Sequence, residues 1–143
     1  MNADHVERNR ASRERLAALI ARLGERTVVL PDGWTAAAVL GHLAFWDRVT
    51  LARWEKHLRE GRPLEAFPEN LVEFVNAAGL PQWTATPLGS AIADVTAATE
   101  SVDLLIAGVS RSEAEEAYRT RPRLVDRSLH RNEHLDGLER ALE

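Results

Sequence analysis

The chain has 143 residues, of which 45% are hydrophobic, and this length suits one domain with a single continuous core. It contains no cysteine, so disulfides, thiolate metal ligands and a cysteine nucleophile are excluded, and any thiol chemistry needs a thiol from outside. The net charge is -4, and the sequence lacks a basic stripe with interleaved aromatic residues, which disfavours a nucleic-acid partner. The sequence has no apolar run that resembles a membrane span or a signal peptide, so we expect a cytoplasmic protein without membrane association.

The first part of the chain predicts two long helices. In residues 4–23, leucine and isoleucine recur at the spacing of one helix face, and Gly24 follows as a C-terminal stop. After a turn that contains proline, aspartate and glycine, Thr35 has the chemistry of an N-cap. The second helix is therefore predicted over residues 35–60, and Gly61 ends it.

The second part predicts a crossover followed by two more helices. Three prolines and one short periodic segment near residues 71–77 predict a crossover that contains a short helix. From Pro87 to residue 109, apolar side chains alternate four and three positions apart, which is typical of a bundle core. A polar connector follows, and a fourth helix with leucines on one side begins near Pro122. We expect an all-α fold, an antiparallel four-helix bundle.

Two histidines lie four residues apart on the last predicted helix. Because a helix turns by about 100° per residue, His130 and His134 project about 40° apart and border the leucine stripe. This is the spacing that two imidazoles need to bind one cation from a single helix. Five histidines in a chain of this length also produce such a pair by chance, so a solvated polar face is the alternative.

The best candidate for a third ligand is His42, in the stretch VLGHLAFWDRV. Val39 and Trp46 lie one turn before and after it on the same apolar face, so its imidazole is predicted to point inward. The alternative is a core histidine satisfied by a backbone carbonyl or water. His57 lies fifteen residues further along the helix and cannot share a cation with His42. His5 is near the N-terminus and is expected at the surface.

Arg131 and Trp46 are candidates for substrate binding. Arg131 falls inside the leucine stripe, and a guanidinium binds carboxylate through two bonds, so it could anchor an anionic substrate near the metal. We favour a stem that covers apolar surface and a head that reaches solvent or an acidic neighbour. Trp46 is suited to a pocket wall, although tryptophan in a short chain is more often core or interface. Glu133 is expected to be solvated, with a supporting role beside a metal ligand as the alternative.

Two stretches, PDGWTAAAVLGHLAFWDRV and LHRNEHLDGLERAL, resemble the DinB/YfiT-like superfamily of metalloenzymes. This superfamily includes the metal-binding domain of mycothiol-dependent maleylpyruvate isomerase and the DfsB-type bundle proteins. The most specific elements are the Gly33-Trp34-Thr35 start of the second helix, the His42-Leu43 pair with a tryptophan after it, and the histidine pair of the last helix. Their order and spacing carry the resemblance, which covers nearly the whole chain.

The resemblance implies a single DinB-like domain over residues 1–143, an up-down-down-up four-helix bundle that is commonly a homodimer. It also implies that His42, His130 and His134 are the metal triad. Asn76 resembles an asparagine found in the crossover of some relatives, and we expect it to satisfy its own backbone at a helix end. The best understood members of the superfamily use a divalent metal to activate a low-molecular-weight thiol.

Three neutral imidazoles from two helices leave one face of a cation open for a thiol or water, whose pKa the cation lowers. We therefore expect an enzyme that holds zinc or nickel and activates an external low-molecular-weight thiol for transfer to an electrophilic small molecule. One alternative is a non-catalytic dimeric bundle that binds or sequesters a small molecule. Another is a hydrolase that uses metal-bound water.

Overall fold

A computed structural model describes residues 4–143, and this part of the chain is all-helical. In chain order the helices are α1 (Asp4–Leu23), α2 (Ala36–Glu60), α3 (Glu69–Ala85), α4 (Leu88–Gly108), α5 (Arg111–Thr120) and α6 (Ser128–Leu142), with a short 3-10 helix at Pro122–Leu124. No strand forms within the described range, where a single isolated bridge joins Val29 to Thr35. None of the described helices is long and apolar enough to cross a membrane. The predicted all-α class is confirmed.

The predicted start and stop of the second helix are both observed. The Thr35 side chain accepts the backbone N–H of Ala38 at 3.1 Å, as an N-cap does. At the other end, Gly61 adopts φ 69°, and its N–H donates to the carbonyl of His57 at 2.8 Å. Helices α1 and α4 also lie within one residue of their predicted limits or coincide with them.

The chain contains more helix than the sequence predicted after α2 and α4. The crossover helix α3 has 17 residues and continues through Pro81, whereas only a short segment near residues 71–77 was predicted. The polar connector after α4 is itself a helix, α5, capped by the Ser110 side chain on the N–H of Glu113. The prediction of a connector was wrong because α5 buries only Ala114 and Ala117, which carry little hydrophobic signal.

The last helix begins later than predicted. Pro122 opens the short 3-10 helix, and α6 starts only at Ser128. Its N-terminus is held by side chains, because Asn9 Oδ1 accepts the backbone N–H of Arg127 at 2.7 Å and of Ser128 at 3.2 Å. Asp126 Oδ1 also accepts the N–H of Ser128, at 3.1 Å. Because Asn9 belongs to α1, the first helix fixes where the last one begins.

Two clusters of buried side chains form the interior. The larger combines residues of α1, α2, α4 and α6, and the smaller surrounds Trp54 further along α2 with residues of α4, α5 and the 3-10 helix. The predicted apolar seam of α4 contributes to both clusters, with Val95 in the first and Val102 and Ile106 in the second. The seam therefore runs through the whole interior, as its spacing predicted.

Arg131 of α6 is fully buried between two carboxylates. Its Nε and Nη2 donate to Asp47 of α2 at 3.1 and 2.9 Å, and its Nη1 and Nη2 donate to Asp103 of α4 at 2.8 and 2.7 Å. Nη1 also reaches the Ser12 hydroxyl of α1 at 3.2 Å. Burial alone would lower the pKa of Arg131, but the hydrogen bonds and charges of Asp103 and Asp47 outweigh it and raise that pKa. One guanidinium thus ties α6 to three other helices.

Arg131→Met is predicted to lower the free energy of unfolding by about 3 kcal/mol, because it removes the shared partner of two buried carboxylates and leaves each with one arginine, Arg127 for Asp47 and Arg13 for Asp103. Urea unfolding at neutral pH measures the change. The matched control is Arg119→Met, which removes an exposed ion pair with Glu116 and should change stability little. Equal stabilities for the two variants would contradict a central role for Arg131.

Candidate metal centre

The three histidines singled out from the sequence lie together. Their ligand nitrogens are all within 4.8 Å of one another, and the Nε2 atoms of His42 and His130 are 3.1 Å apart. The His134 ring centroid lies 4.6 Å from that of His42 and 4.8 Å from that of His130. Helix α2 and helix α6 therefore supply one group of imidazoles that can hold a metal ion.

Packing against tryptophan holds the ring of His42 in place. The rings of Trp34 and Trp83 each contact it edge-on, at centroid distances of 5.4 Å. Trp83 approaches so closely because two positions facing it are glycine. A Cβ on Gly41 would lie 2.9 Å from its ring, and one on Gly79 would lie 2.4 Å from it. The absence of a side chain at both positions leaves room for the ring of Trp83, which therefore packs against His42.

Burial keeps the three imidazoles neutral. It lowers the pKa of His42 to about 4, and the nearby His134 acts in the same direction. Burial also holds the pKa of His130 far below its usual range, with a further contribution from the positive charge of Arg127. The pKa of His134 is lowered mainly by burial as well. Neutral imidazole is the form that binds a metal, so protons do not compete for this group at neutral pH.

The geometry of the group fits a divalent cation. Two nitrogens 3.1 Å apart, each about 2.0–2.1 Å from one ion, subtend an angle of about 100° at it, close to tetrahedral. Each ring that ligates through Nε2 carries its proton on Nδ1. The Nδ1 atoms of His42 and His130 are buried and find no hydrogen-bond acceptor among the described residues. These two rings are thus oriented by packing and not by a second hydrogen bond.

A cavity of about 790 Å³ opens beside the histidines, a volume typical of small-molecule sites. Trp46, a predicted substrate-binding residue, forms part of its wall, and its Nε1 donates to Asn76 Oδ1 at 2.7 Å. Asn76 lies inside α3 and also faces the cavity. The expectation that Asn76 satisfies its own backbone at a helix end is therefore wrong, because its side chain orients Trp46 across the cavity.

Arg131 does not line this cavity. The predicted acidic neighbours are present, as Asp47 and Asp103, but the expectation that its head could reach solvent is wrong because the side chain is 0% exposed. Each of its guanidinium nitrogens donates to an acceptor within the protein. Its position gives no support to the alternative of an anchor for an anionic substrate, because these donors are directed away from the cavity and into the helix interfaces.

Three other polar residues considered from the sequence lie outside the histidine group. Glu133 is exposed, as expected, and forms an ion pair with Arg123 at 3.0 Å on the cavity wall. His57 contacts the carbonyl of Arg62 and the carboxylate of Glu113, away from the metal group. The expectation of a surface position for His5 is wrong, because it is only 5% exposed within α1.

Sequence reasoning missed the positive charge of the cavity. Four arginines line it: Arg53, Arg121, Arg123 and Arg127. Three of them fall in the segment RTRPRLVDR at residues 119–127, which holds four arginines and one aspartate. This local excess of charge, in a chain of net charge -4, was the signal that could have found them.

Comparison of the chain with protein-family models, with curated proteins and with solved structures finds no match. The resemblance to the DinB/YfiT-like superfamily therefore stays a prediction.

Gly41→Ala is predicted to destabilise the protein and to weaken metal binding, because the added Cβ displaces Trp83 and with it the ring of His42. Alanine in a helix is otherwise about 1 kcal/mol better than glycine, so the sign of the change is informative. Gly89→Ala in α4 is the matched control and should raise the melting temperature, since its Cβ would meet nothing within 4 Å. An equal gain in both variants would show that Trp83 moves freely.

The metal-free protein is predicted to lose stability as the pH falls from 6.5 toward 4. Folded His42 has a pKa of about 4, against 6.5 for an ordinary histidine, so the unfolded chain binds more protons in this window. Urea unfolding at several pH values measures the slope. His42→Gln should make the slope shallower, with His130 and His134 still contributing, whereas His57→Gln should leave it unchanged. Identical slopes for all three proteins would contradict a buried, neutral His42.

Proposed function

We propose that the protein is a divalent-metal-dependent enzyme that activates an external low-molecular-weight thiol for transfer to an electrophilic small molecule. The observation that carries the proposal is the convergence of three neutral imidazoles on the wall of a large cavity. A bound cation supplies Lewis acidity, which lowers the pKa of a thiol so that the thiolate is available at neutral pH. Zinc and nickel both suit His42, His130 and His134 as ligands.

The protein's own side chains position the reaction. Trp34 and Trp83 fix the ring of His42, and the buried Arg131 fixes the helix that carries the other two imidazoles. Trp46 and Phe67 add aromatic surface to the cavity, which favours the apolar part of a small molecule and excludes water from it. These groups bind and orient reactants beside the histidines.

The supply of carboxylates favours a thiol over water as the nucleophile. Glu133 is the sole carboxylate on the cavity wall among the described residues, and it is already paired with Arg123. A hydrolase usually positions a free carboxylate or a histidine as general base near its water. A thiol starts from a pKa of about 8.5, against 15.7 for water, so the same cation ionises a thiol fully at neutral pH but ionises water only in part. A thiol therefore depends less on a base, and this wall suits it better.

The fold arrangement and the family belong to the same proposal. We infer an up-down-down-up four-helix bundle of α1, α2, α4 and α6, with α3 in the crossover, and membership of the DinB/YfiT-like superfamily. The support is that these four helices share the larger core, where α1 packs on α4 and α6, and α2 packs on α4 and α6. A homodimer and a cytoplasmic location remain predictions of the resemblance.

Protein purified without a histidine tag is predicted to contain close to one divalent ion per chain, and His42→Ala to lose it. His57→Ala, on the same helix but outside the group, is the control and should keep the metal. In a panel of small electrophiles, turnover should require both the metal and an added thiol. Substoichiometric metal that His42→Ala leaves unaltered would overturn the metal site and favour a non-catalytic bundle. Turnover that ignores the thiol would overturn the transferase and favour a hydrolase.

A further inference from the structure

The arginines of the cavity wall are not all neutralised by the protein. Arg123 is paired with Glu133 at 3.0 Å, and Arg127 donates to Asp47 at 2.8 Å. The remaining two, Arg53 and Arg121, form no ion pair within residues 4–143, and we call them the unpaired arginines.

Arg53 is the more telling of the two. Its Nη2 is buried and has no hydrogen-bond partner in the described part of the chain. The ring of Phe67 covers one face of the Arg53 guanidinium, and its centroid lies 4.9 Å from Cζ. This contact uses the face of the group, so the N–H donors in its plane stay available to a ligand. A buried, unpaired donor of this kind is rare in a folded protein and signals an absent partner.

The electrostatic surroundings specify the sign of that partner. Burial lowers the pKa of Arg53, and the positive charges of Arg121 and Arg127 lower it further, with no acidic group acting in the opposite direction. Burial and the neighbouring positive charges thus both disfavour the charged form of the Arg53 guanidinium. An anion between the unpaired arginines relieves both effects.

We propose that Arg53 and Arg121 form a binding site for a carboxylate group of the small molecule that occupies the cavity. The planar fork of a guanidinium matches the two oxygens of a carboxylate, and a charge-assisted pair of this kind is strong where water is partly excluded. This inference names the substrate class of the proposed function. The role of the bound molecule as a substrate rests on that function, whereas carboxylate binding itself does not.

The proposed carboxylate site is separated from the histidines along α2. Arg53 follows His42 by eleven residues on α2, which places their Cα atoms about 16 Å apart along the helix axis. Side chains lean toward the N-terminus of a helix, so the guanidinium lies somewhat closer to the histidines than its Cα does. A molecule that contacts both the unpaired arginines and the histidines therefore extends along the cavity, with its carboxylate at the end remote from the histidines. Such a remote contact supplies binding energy that holds the reacting end in place.

The test uses two probes of nearly equal shape, benzoate and benzamide, which differ in charge. Binding to the metal-free protein is followed by ligand-observed NMR. Benzoate is expected to bind about tenfold more tightly than benzamide, since a charge-assisted pair replaces a neutral contact. Arg53→Gln and Arg121→Gln should each reduce this preference severalfold and leave benzamide unchanged. Arg48→Gln, on the same helix but paired with Asp94 outside the cavity, should change neither probe.

The outcomes separate this site from the metal site. His42→Ala should retain the full preference for benzoate, whatever it does to metal content or turnover, so failure of the enzymatic proposal leaves this result intact. If Arg53→Gln does not fold, the exposed Arg121→Gln and the preference of the wild-type protein decide the matter. Equal binding of the two probes by the wild-type protein, or an unchanged preference in a folded Arg53→Gln or Arg121→Gln variant, overturns the proposal.

Discussion

The arrangement of the helices depends on one buried cation. The guanidinium of Arg131 lies where α1, α2, α4 and α6 meet, and it is compensated by Asp47 and Asp103 on two different helices. Such a pair gains little over well-packed apolar side chains, but it penalises any arrangement that separates its members. Leucines tolerate sliding of one helix past another, whereas a buried charge does not. The ion pair therefore selects one register of α6 against its neighbours.

This register matters because the ion pair and the metal group use adjacent residues. Arg131 directly follows His130, and Asp47 lies five residues after His42 on α2. The contact between Arg131 and Asp47 thus fixes the separation of the same two helix segments that present the imidazoles. In the other direction, Asn9 of α1 holds the start of α6 two residues before His130. The same segments of α2 and α6 therefore carry both the buried ion pair and the candidate site.

Much of the fold could be predicted from the sequence because helix caps and apolar periodicity are local signals. Thr35 and Gly61 bound α2 through chemistry that acts within one turn, and the seam of α4 repeats over five turns. Helix α5 was missed because its residues are mostly polar and the side chains that it buries are alanines, and its helicity follows from the Ser110 cap and from contact with the Trp54 cluster. The later start of α6 depends on Asn9, a residue more than a hundred positions away.

The candidate site was predictable to a similar degree. The i, i+4 spacing of His130 and His134 and the apolar face around His42 follow from helix geometry, so their convergence was within reach. The burial of Arg131 was not, because its position in the leucine stripe fits a solvent-reaching head as well as a compensated core charge. The arginines of the cavity come from α2, from the 3-10 helix and from the residues on either side of that short helix, and charge that accumulates in three dimensions has no period along the chain.

The lone Nδ1 atoms of His42 and His130 have a consequence for metal choice. In most protein metal centres a carboxylate or carbonyl accepts a hydrogen bond from this Nδ1–H group, which stiffens the ring and makes the ligating nitrogen more basic. Because no hydrogen bond ties the Nδ1 atom of either ring, a small tilt breaks no such bond, and within the limits set by packing the rings can adjust to ions of slightly different radius. A metal centre formed by these rings would discriminate poorly among first-row transition metals, and its content would then follow the supply in its surroundings.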